Sequence, residues 1–297
     1  MTKKTKSKDN IQFVFFGTPT LSVIVLDELK NAGMLPALVI TAPDRPAGRG
    51  LKITPPPVKV WALTHNIPLL QPEKLDADFL SELQTTQYDV FIVAAYGKIL
   101  PKELLDIPKH GALNVHPSLL PKFRGASPIV SAILEDSKET GISIMSLDEE
   151  MDHGPIVAQK KITLSDWPPR ASELGETLAH EGGKLLATVL PHWVASEIEA
   201  KEQNHDVATY CKKITKVDGL INLNDNVYKN LLKIRALEGW PGTYTFFERN
   251  GKKIRVGIIG AHIENENLII SRVKAEGKRE MPYEEFLRSG AVVPSRA

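Results

Sequence analysis

Over the first two-thirds of the chain, short apolar runs alternate with longer stretches of mixed polarity. The runs at 11–17 (IQFVFFG), 36–41 (PALVIT), 67–71 (IPLLQ), 88–97 (YDVFIVAAYG) and 111–116 (GALNVH) are too short for helices and nearly continuous in apolar character. Strands buried on both faces of a parallel sheet have that pattern. Helices are predicted between them, near 20–31, over VKVWALTHN and over ADFLSELQTT, with another at 126–134. ETGISIMSL and PIVAQKKITL are expected as later or antiparallel strands, and a helix over 170–199 closes the unit. The βαβα order predicts an α/β fold, a doubly wound, mostly parallel sheet with function at the carboxyl ends of its strands.

Beyond residue 200 the rhythm changes. A polar connector precedes a helix near 224–237, and in GTYTFFERNGKKIRVGIIGAHI the RNGK step separates two strand-like runs as a hairpin turn does. NLIISRV adds a strand and PYEEFLRS a short final helix, a β-rich unit expected as a partly open barrel. The expected organisation is a disordered basic tail at 1–10, a catalytic domain at 11–200, a linker at 201–207 and a second domain at 208–297.

Composition narrows the class. A chain of 297 residues with 42% hydrophobic and 25% charged residues has the make-up of a soluble globular protein with ample core. A single cysteine, Cys211, excludes a disulfide framework and a thiolate metal cluster, and suits a cytoplasmic setting. No apolar run approaches the ~18 residues of a membrane span, and no apolar segment follows the basic MTKKTKSKDN start as a secretory signal requires. Residues 1–200 hold 20 Lys and Arg against 24 Asp and Glu, whereas residues 201–297 hold 17 against 12. The basic second part hints at an anionic partner, although scatter over a solvated surface accounts for a difference of this size equally well.

Several chemistries drop out. The first strand ends FFGTPTLS, with one glycine where a dinucleotide fingerprint needs three, and there is no phosphate-cradling G-x-x-x-x-G-K-[ST] loop. H-E-x-x-H, C-x-x-C and G-x-S-x-G are also missing. Attention falls on LNVHPSLLPKFRGASPI (113–129), where Asn114 and His116 stand two apart and so share one face of a strand. They could be two converging donors for a tetrahedral oxyanion, or buried polar groups satisfied by nearby backbone. Asp152, in DEEMDHGPI (148–156), could orient His116 and manage a proton, or simply cap an Asx turn before Gly154-Pro155; His153 beside it is assigned to the surface. The insertion PDRPAGRGLKITPPPVK (43–59) sets Arg45, Arg49, Lys52 and Lys59 against Asp44 on a proline-stiffened loop. It suits a phosphate backbone, or is a solvated surface loop.

Together these segments resemble the methionyl-tRNA formyltransferase family, within the wider formyltetrahydrofolate-dependent formyltransferases. FFGTP, APDRPAGRG, PPPVK, AAYGKILPK, LNVHPSLLPKFRGASPI, ETGISIM and MDHGPI fall in the family's order and spacing, and INLN, WPGTYT and GKREMPYEEFL continue the likeness through the second domain. The resemblance implies a Rossmann-like formyltransferase domain followed by a small OB-like β-barrel that helps hold tRNA. It implies catalytic roles for Asn114, His116 and Asp152, and folate contacts at Ser118, Leu119, Leu120 and Pro121. For tRNA it implies Arg45, Arg49 and Lys52, with Arg124 a further family match assigned to substrate positioning. The implied reaction carries a formyl group from 10-formyltetrahydrofolate, a consumed donor that leaves as tetrahydrofolate, to the α-amino group of initiator methionyl-tRNA for translation initiation. Neither a metal nor a membrane is implied, and the expected state is a monomer. Two features depart from the family: Pro155 stands where an acidic residue is common, and the GAHIENENLIISRVKAEGKRE region abbreviates the barrel. A formyltransferase for an amino sugar or amino nucleotide would share the triad, and a folate- or RNA-binding module with a relic site remains the non-enzyme alternative.

Overall fold

A computed structural model describes residues 11–48 and 50–292. The expected basic tail at 1–10 and Arg49 lie outside the described residues. In chain order the elements begin β1 (Phe13–Gly17), α1 (Thr20–Asn31), β2 (Leu38–Ile40), β3 (Arg45–Ala47), β4 (Lys52–Thr54), α2 (Pro57–Thr64), β5 (Leu69–Leu70), α3 (Ala77–Gln84), β6 (Val90–Ala94), α4 (Lys102–Leu105) and β7 (Ala112–His116). They continue β8 (Arg124–Gly125), α5 (Pro128–Leu134), β9 (Thr140–Ser146), β10 (Ile156–Ile162), α6 (Ala171–Val194), β11 (Tyr210–Cys211), α7 (Val227–Ala236), β12 (Thr243–Arg249), β13 (Lys252–Glu264), β14 (Asn267–Ala275), β15 (Met281–Pro282) and α8 (Tyr283–Arg288).

The chain divides into two compact units. One comprises Met1–Gly125, Glu139–Thr163 and Gly175–Tyr210; the other comprises Ala126–Lys138, Leu164–Leu174 and Cys211–Ala297. Two early segments therefore group with the later residues, which a single cut in the sequence does not describe.

The first unit is built on a seven-stranded sheet of order β10-β9-β7-β6-β1-β2-β5. The five strands from β5 to β7 are parallel, and at one edge β9 runs antiparallel to β7 and β10 antiparallel to β9. The chain steps from β1 to β2 on one side and later to β6 on the other, so the switch point lies between β1 and β6. Ser22 closes that point by donating its hydroxyl to the Ala94 carbonyl at 2.6 Å. All five residues of β1 and of β6 are buried, as their unbroken apolar runs predicted. On one face Val14, Phe16, Phe91 and Val93 join Phe79 and Leu83 of α3 and Leu104 of α4 in a single cluster. On the other, α6 comes so close that a Cβ at Gly182 would meet Val115 and Ile142 at 2.7 and 3.0 Å. Glycine lets that helix lie against β7 and β9, and any larger residue there would push it away.

The insertion at 43–59 is more regular than a loop. Arg45, Pro46 and Ala47 pair antiparallel with Thr54, Ile53 and Lys52, making a β-ribbon, and its last residues already belong to α2, which opens on Pro57. Proline suits that first helical position, where its missing N–H goes unmissed.

The second unit contains a four-stranded antiparallel sheet of order β12-β13-β14-β15. Register shifts around Gly260 bend the long β13 against β14. Single bridges from Leu220 and Val292 cover the outer edge of β12. Phe247, Val256, Ile258, Val273 and Phe286 form the core beneath it. Among the described residues no helix is long and apolar enough to cross a membrane.

Candidate active site

Ala112, Asn114 and His116 alternate onto one face of β7. Ala112 belongs to the apolar cluster, whereas Asn114 and His116 lie beyond it toward the carboxyl end of the strand. The loop between β9 and β10 brings Asp152 onto the same face. Asn114 Nδ2 and His116 Nδ1 stand 3.4 and 3.5 Å from one atom, Asp152 Oδ1. Both distances exceed a well-made N–H···O bond, so the donors are aimed at the carboxylate without being held tightly by it. The other carboxylate oxygen is held firmly, accepting the Gly125 N–H at 2.7 Å. A φ of 114° at Gly125 suits a residue without a Cβ.

Asp152 itself has a φ of 51°, in the left-handed region that aspartate tolerates better than most residues. The Asx turn, the alternative reading of Asp152, is made by a neighbour. Asp148 accepts the Glu150 N–H at 3.0 Å and pairs with His153 Nδ1 at 2.7 Å. His153 stacks on His205, with ring centroids 4.1 Å apart.

His116 is only 4% exposed, and its Nε2 lies 3.0 Å from the Phe123 carbonyl oxygen. A carbonyl can only accept, so Nε2 carries a hydrogen. Nδ1, the nitrogen facing Asn114 and Asp152, then holds a proton only in the imidazolium form.

The Ser118–Pro121 turn follows β7 directly. Ser143, opposite His116 in the β7–β9 register, donates its hydroxyl to the Ser118 carbonyl at 2.6 Å and accepts the Leu120 N–H at 3.1 Å. Gln159 Nε2 adds bonds of 2.8 Å to both the Leu120 carbonyl and Ser143. Ser118 and Leu120 are buried, and the Ser118 hydroxyl is used on the Lys122 carbonyl at 2.6 Å. Leu119 and Pro121 stay half-exposed. The turn is thus a shaped wall whose backbone is tied down.

The cations expected to meet tRNA are distributed differently. Arg45 and Lys52 are exposed on the ribbon, beside Leu51 and Ile53, which are 72% and 65% exposed. Lys59 is committed: its ammonium contacts both Asp44 oxygens at 2.8–2.9 Å and holds that carboxyl below the usual carboxylate range, helped by Gln71. Arg124 requires a correction. It is 1% exposed, with its guanidinium bonded to Gln203, His205 and Tyr210, so it cannot reach a phosphate backbone. Sequence reading missed Gln203 and the Phe123 carbonyl, and nothing in the polar connector around 203 marks that glutamine. Ser143 did leave a signal, a hydroxyl in the middle of the otherwise apolar ISIM run.

The chain matches the family "Formyl transferase" over residues 9–190 and "Formyl transferase, C-terminal domain" over residues 213–267. It is 44% identical to the methionyl-tRNA formyltransferase of Chloroflexus aggregans, over 83% of this chain and 79% of that protein. It is 38% identical to the methionyl-tRNA formyltransferase of Thermus thermophilus, over 96% of this chain and 98% of the relative. Among solved structures, an N-formyltransferase from Helicobacter canadensis, in complex with folinic acid and dTDP-3-aminofucose, shares the fold with a TM-score of 0.61. That likeness covers 88% of this chain and 95% of that one at 20% identity.

Proposed function

We propose, for a chain that belongs to the formyl transferase family, that it transfers a formyl group from 10-formyltetrahydrofolate to the α-amino group of initiator methionyl-tRNA. The observation that carries the chemistry is the convergence of Asn114 Nδ2 and His116 Nδ1 on one oxygen of Asp152. The acceptor follows from relatives named methionyl-tRNA formyltransferase at 38–44% identity over most of both chains.

When the neutral amine attacks the formyl carbon, a new N–C bond forms and the carbonyl electron pair moves onto oxygen. Asn114 N–H and the Nδ1–H of His116 are the donors placed to stabilise that oxyanion, and their loose hold on Asp152 leaves them able to redirect. Such donors act where charge develops, and losing one typically costs ~10²–10³ in turnover. Asp152 holds the imidazolium in place and receives the proton that the attacking amine sheds. Collapse of the tetrahedral centre breaks the bond to N10 of the folate, which takes up the proton that Asp152 received, so the carboxylate is restored and the transfer balances in atoms and charge. The donor lies against the Ser118–Pro121 wall, whose half-exposed Leu119 and Pro121 offer apolar surface and whose fixed backbone suits a flat ring system.

The test supplies 10-formyltetrahydrofolate labelled in the formyl carbon together with methionyl initiator tRNA, and separately with small amino sugars. Label should appear on the methionyl ester. Transfer to an amino sugar with none to tRNA would overturn the acceptor, and no transfer in a single turnover would overturn the enzyme.

A further inference from the structure

We propose that Gln203, gripped by Arg124, is a positioning residue that fixes Asp152 for formyl transfer. The inference rests on the role given to Asp152 above and goes beyond it.

Gln203 is 4% exposed, although it lies in a polar stretch outside the sheet. Its register is set two residues earlier, where Lys201 and Ile156 exchange backbone hydrogen bonds of 2.7 and 2.8 Å. From there its amide nitrogen donates to the carbonyls of Asp152 at 3.0 Å and Gly154 at 2.7 Å. Its amide oxygen accepts from Arg124 Nε at 3.1 Å and Nη2 at 2.7 Å. Chemistry dictates this orientation: a guanidinium can only donate and a carbonyl can only accept, so the residue between them must do both. Glutamine can, and glutamate cannot.

The two-residue strand β8 therefore grips Asp152 from both ends. The Gly125 N–H takes carboxylate Oδ2, and the neighbouring Arg124 side chain holds the backbone carbonyl through Gln203. The grip matters because Asp152 sits in a left-handed conformation and its other oxygen is only loosely met by Asn114 and His116. A misplacement of about 1 Å at such a site can cost ~10²-fold in rate. An arginine removed from water is costly unless well bonded, and here the bonding is directed at the carboxylate's support.

The test uses the full chain, with steady-state and single-turnover formylation of methionyl initiator tRNA. Gln203→Ala and Gln203→Glu should each lower kcat by roughly 10–100-fold, in line with the cost of misplacing a reacting group. KM for tRNA should stay within about twofold, because no tRNA contact is removed. Arg124→Lys, which keeps the charge but loses the fork, should fall between these variants and wild type. In an Asp152→Asn background, adding Gln203→Ala should cost no further turnover, since the group it positions no longer works. A merely structural glutamine would instead lose the same factor in both backgrounds. If Gln203→Ala does not fold cooperatively, Gln203→Glu, of the same size, carries the test. An inactive Asp152→Asn beside a fully active Gln203→Glu would overturn this inference alone. An active Asp152→Asn would overturn the role of Asp152 and this inference with it.

Discussion

His116 Nε2 faces the Phe123 carbonyl oxygen at 3.0 Å, and that contact decides which imidazole nitrogen serves the site. Nδ1 is the one left to face Asn114 and Asp152, so two amide replacements should separate the two nitrogens. Asparagine places its amide near Nδ1, and glutamine places its amide near Nε2. His116→Asn should keep some donation into the site while losing the bond to the Phe123 carbonyl, at a cost of about 1 kcal/mol in stability. His116→Gln should keep the carbonyl contact and the stability but lose more activity. Both should fall well below wild type, because neither neutral amide brings the positive charge that an imidazolium sets beside the oxyanion. Single-turnover rates with urea melts on the same preparations check this, and the reverse ranking would assign the site to Nε2.

Asp152→Asn should fold normally, because asparagine's oxygen can still accept the Gly125 N–H. Its turnover should nonetheless drop by ~10²-fold or more, as a neutral amide can neither hold an imidazolium nor accept a proton. Asp148 supplies the control. Asp148→Ala removes the Asx turn and the His153 partner, so it should loosen the loop with a smaller effect on turnover. Equal losses in the two variants would mean that loop shape matters and the Asp152 charge does not.

These contrasts show what sequence could reveal. Buried strands announce themselves through unbroken apolar runs, and a two-residue spacing alone puts Asn114 and His116 on one face. Asp152 was legible as a candidate but not as distinct from its turn-making neighbour, since Asp148 and Asp152 share a loop and have the same local chemistry. Gln203, and its pairing with Arg124, were not legible at all. The two residues are 79 apart, and their pairing depends on how the polar connector is pinned at Lys201 and Ile156. The same blindness grouped Arg124 with the tRNA-facing cations, because a family match does not tell whether tertiary packing encloses the guanidinium. The ribbon at 45–54 escaped for a third reason, because prolines and glycines suggest a loop even where three residues on each side pair.

In the second unit, Asp136 accepts from both Tyr228 Oη at 2.7 Å and Trp167 Nε1 at 2.6 Å. Burial, aided by the Asp136 bond, pushes the Tyr228 phenol up to about 12 from 10.0. A folded-state value raised above the unfolded one means that this contribution is complete below pH ~10 and is lost as pH climbs toward 12. Tyr228→Phe should therefore cost about 1–2 kcal/mol at pH 8, a figure reduced for partial exposure. The gap to wild type should shrink steadily between pH 10 and 12. Denaturant melts across that range read it directly, and a gap that widened with pH would reverse the sign of the argument.

Exposed and enclosed cations should respond differently when tRNA binding is followed across a salt series. Arg45 and Lys52 are exposed on the ribbon, whereas Arg124 is enclosed and bonded to Gln203. A phosphate contact releases counterions, so each one adds ~0.7–0.9 to the slope of log affinity against log salt. Arg45→Ala and Lys52→Ala should each weaken tRNA binding and flatten that slope by about this amount, with folate use unchanged. Charge reversal at Lys52 should weaken binding further by setting a repelling group against the backbone. Arg124→Lys should leave the slope alone while lowering turnover. Binding titrations from low to physiological salt, run beside turnover assays, make the comparison. An unchanged slope in both ribbon variants would take the ribbon out of tRNA binding, and a flattened slope for Arg124→Lys would return that arginine to the phosphate backbone.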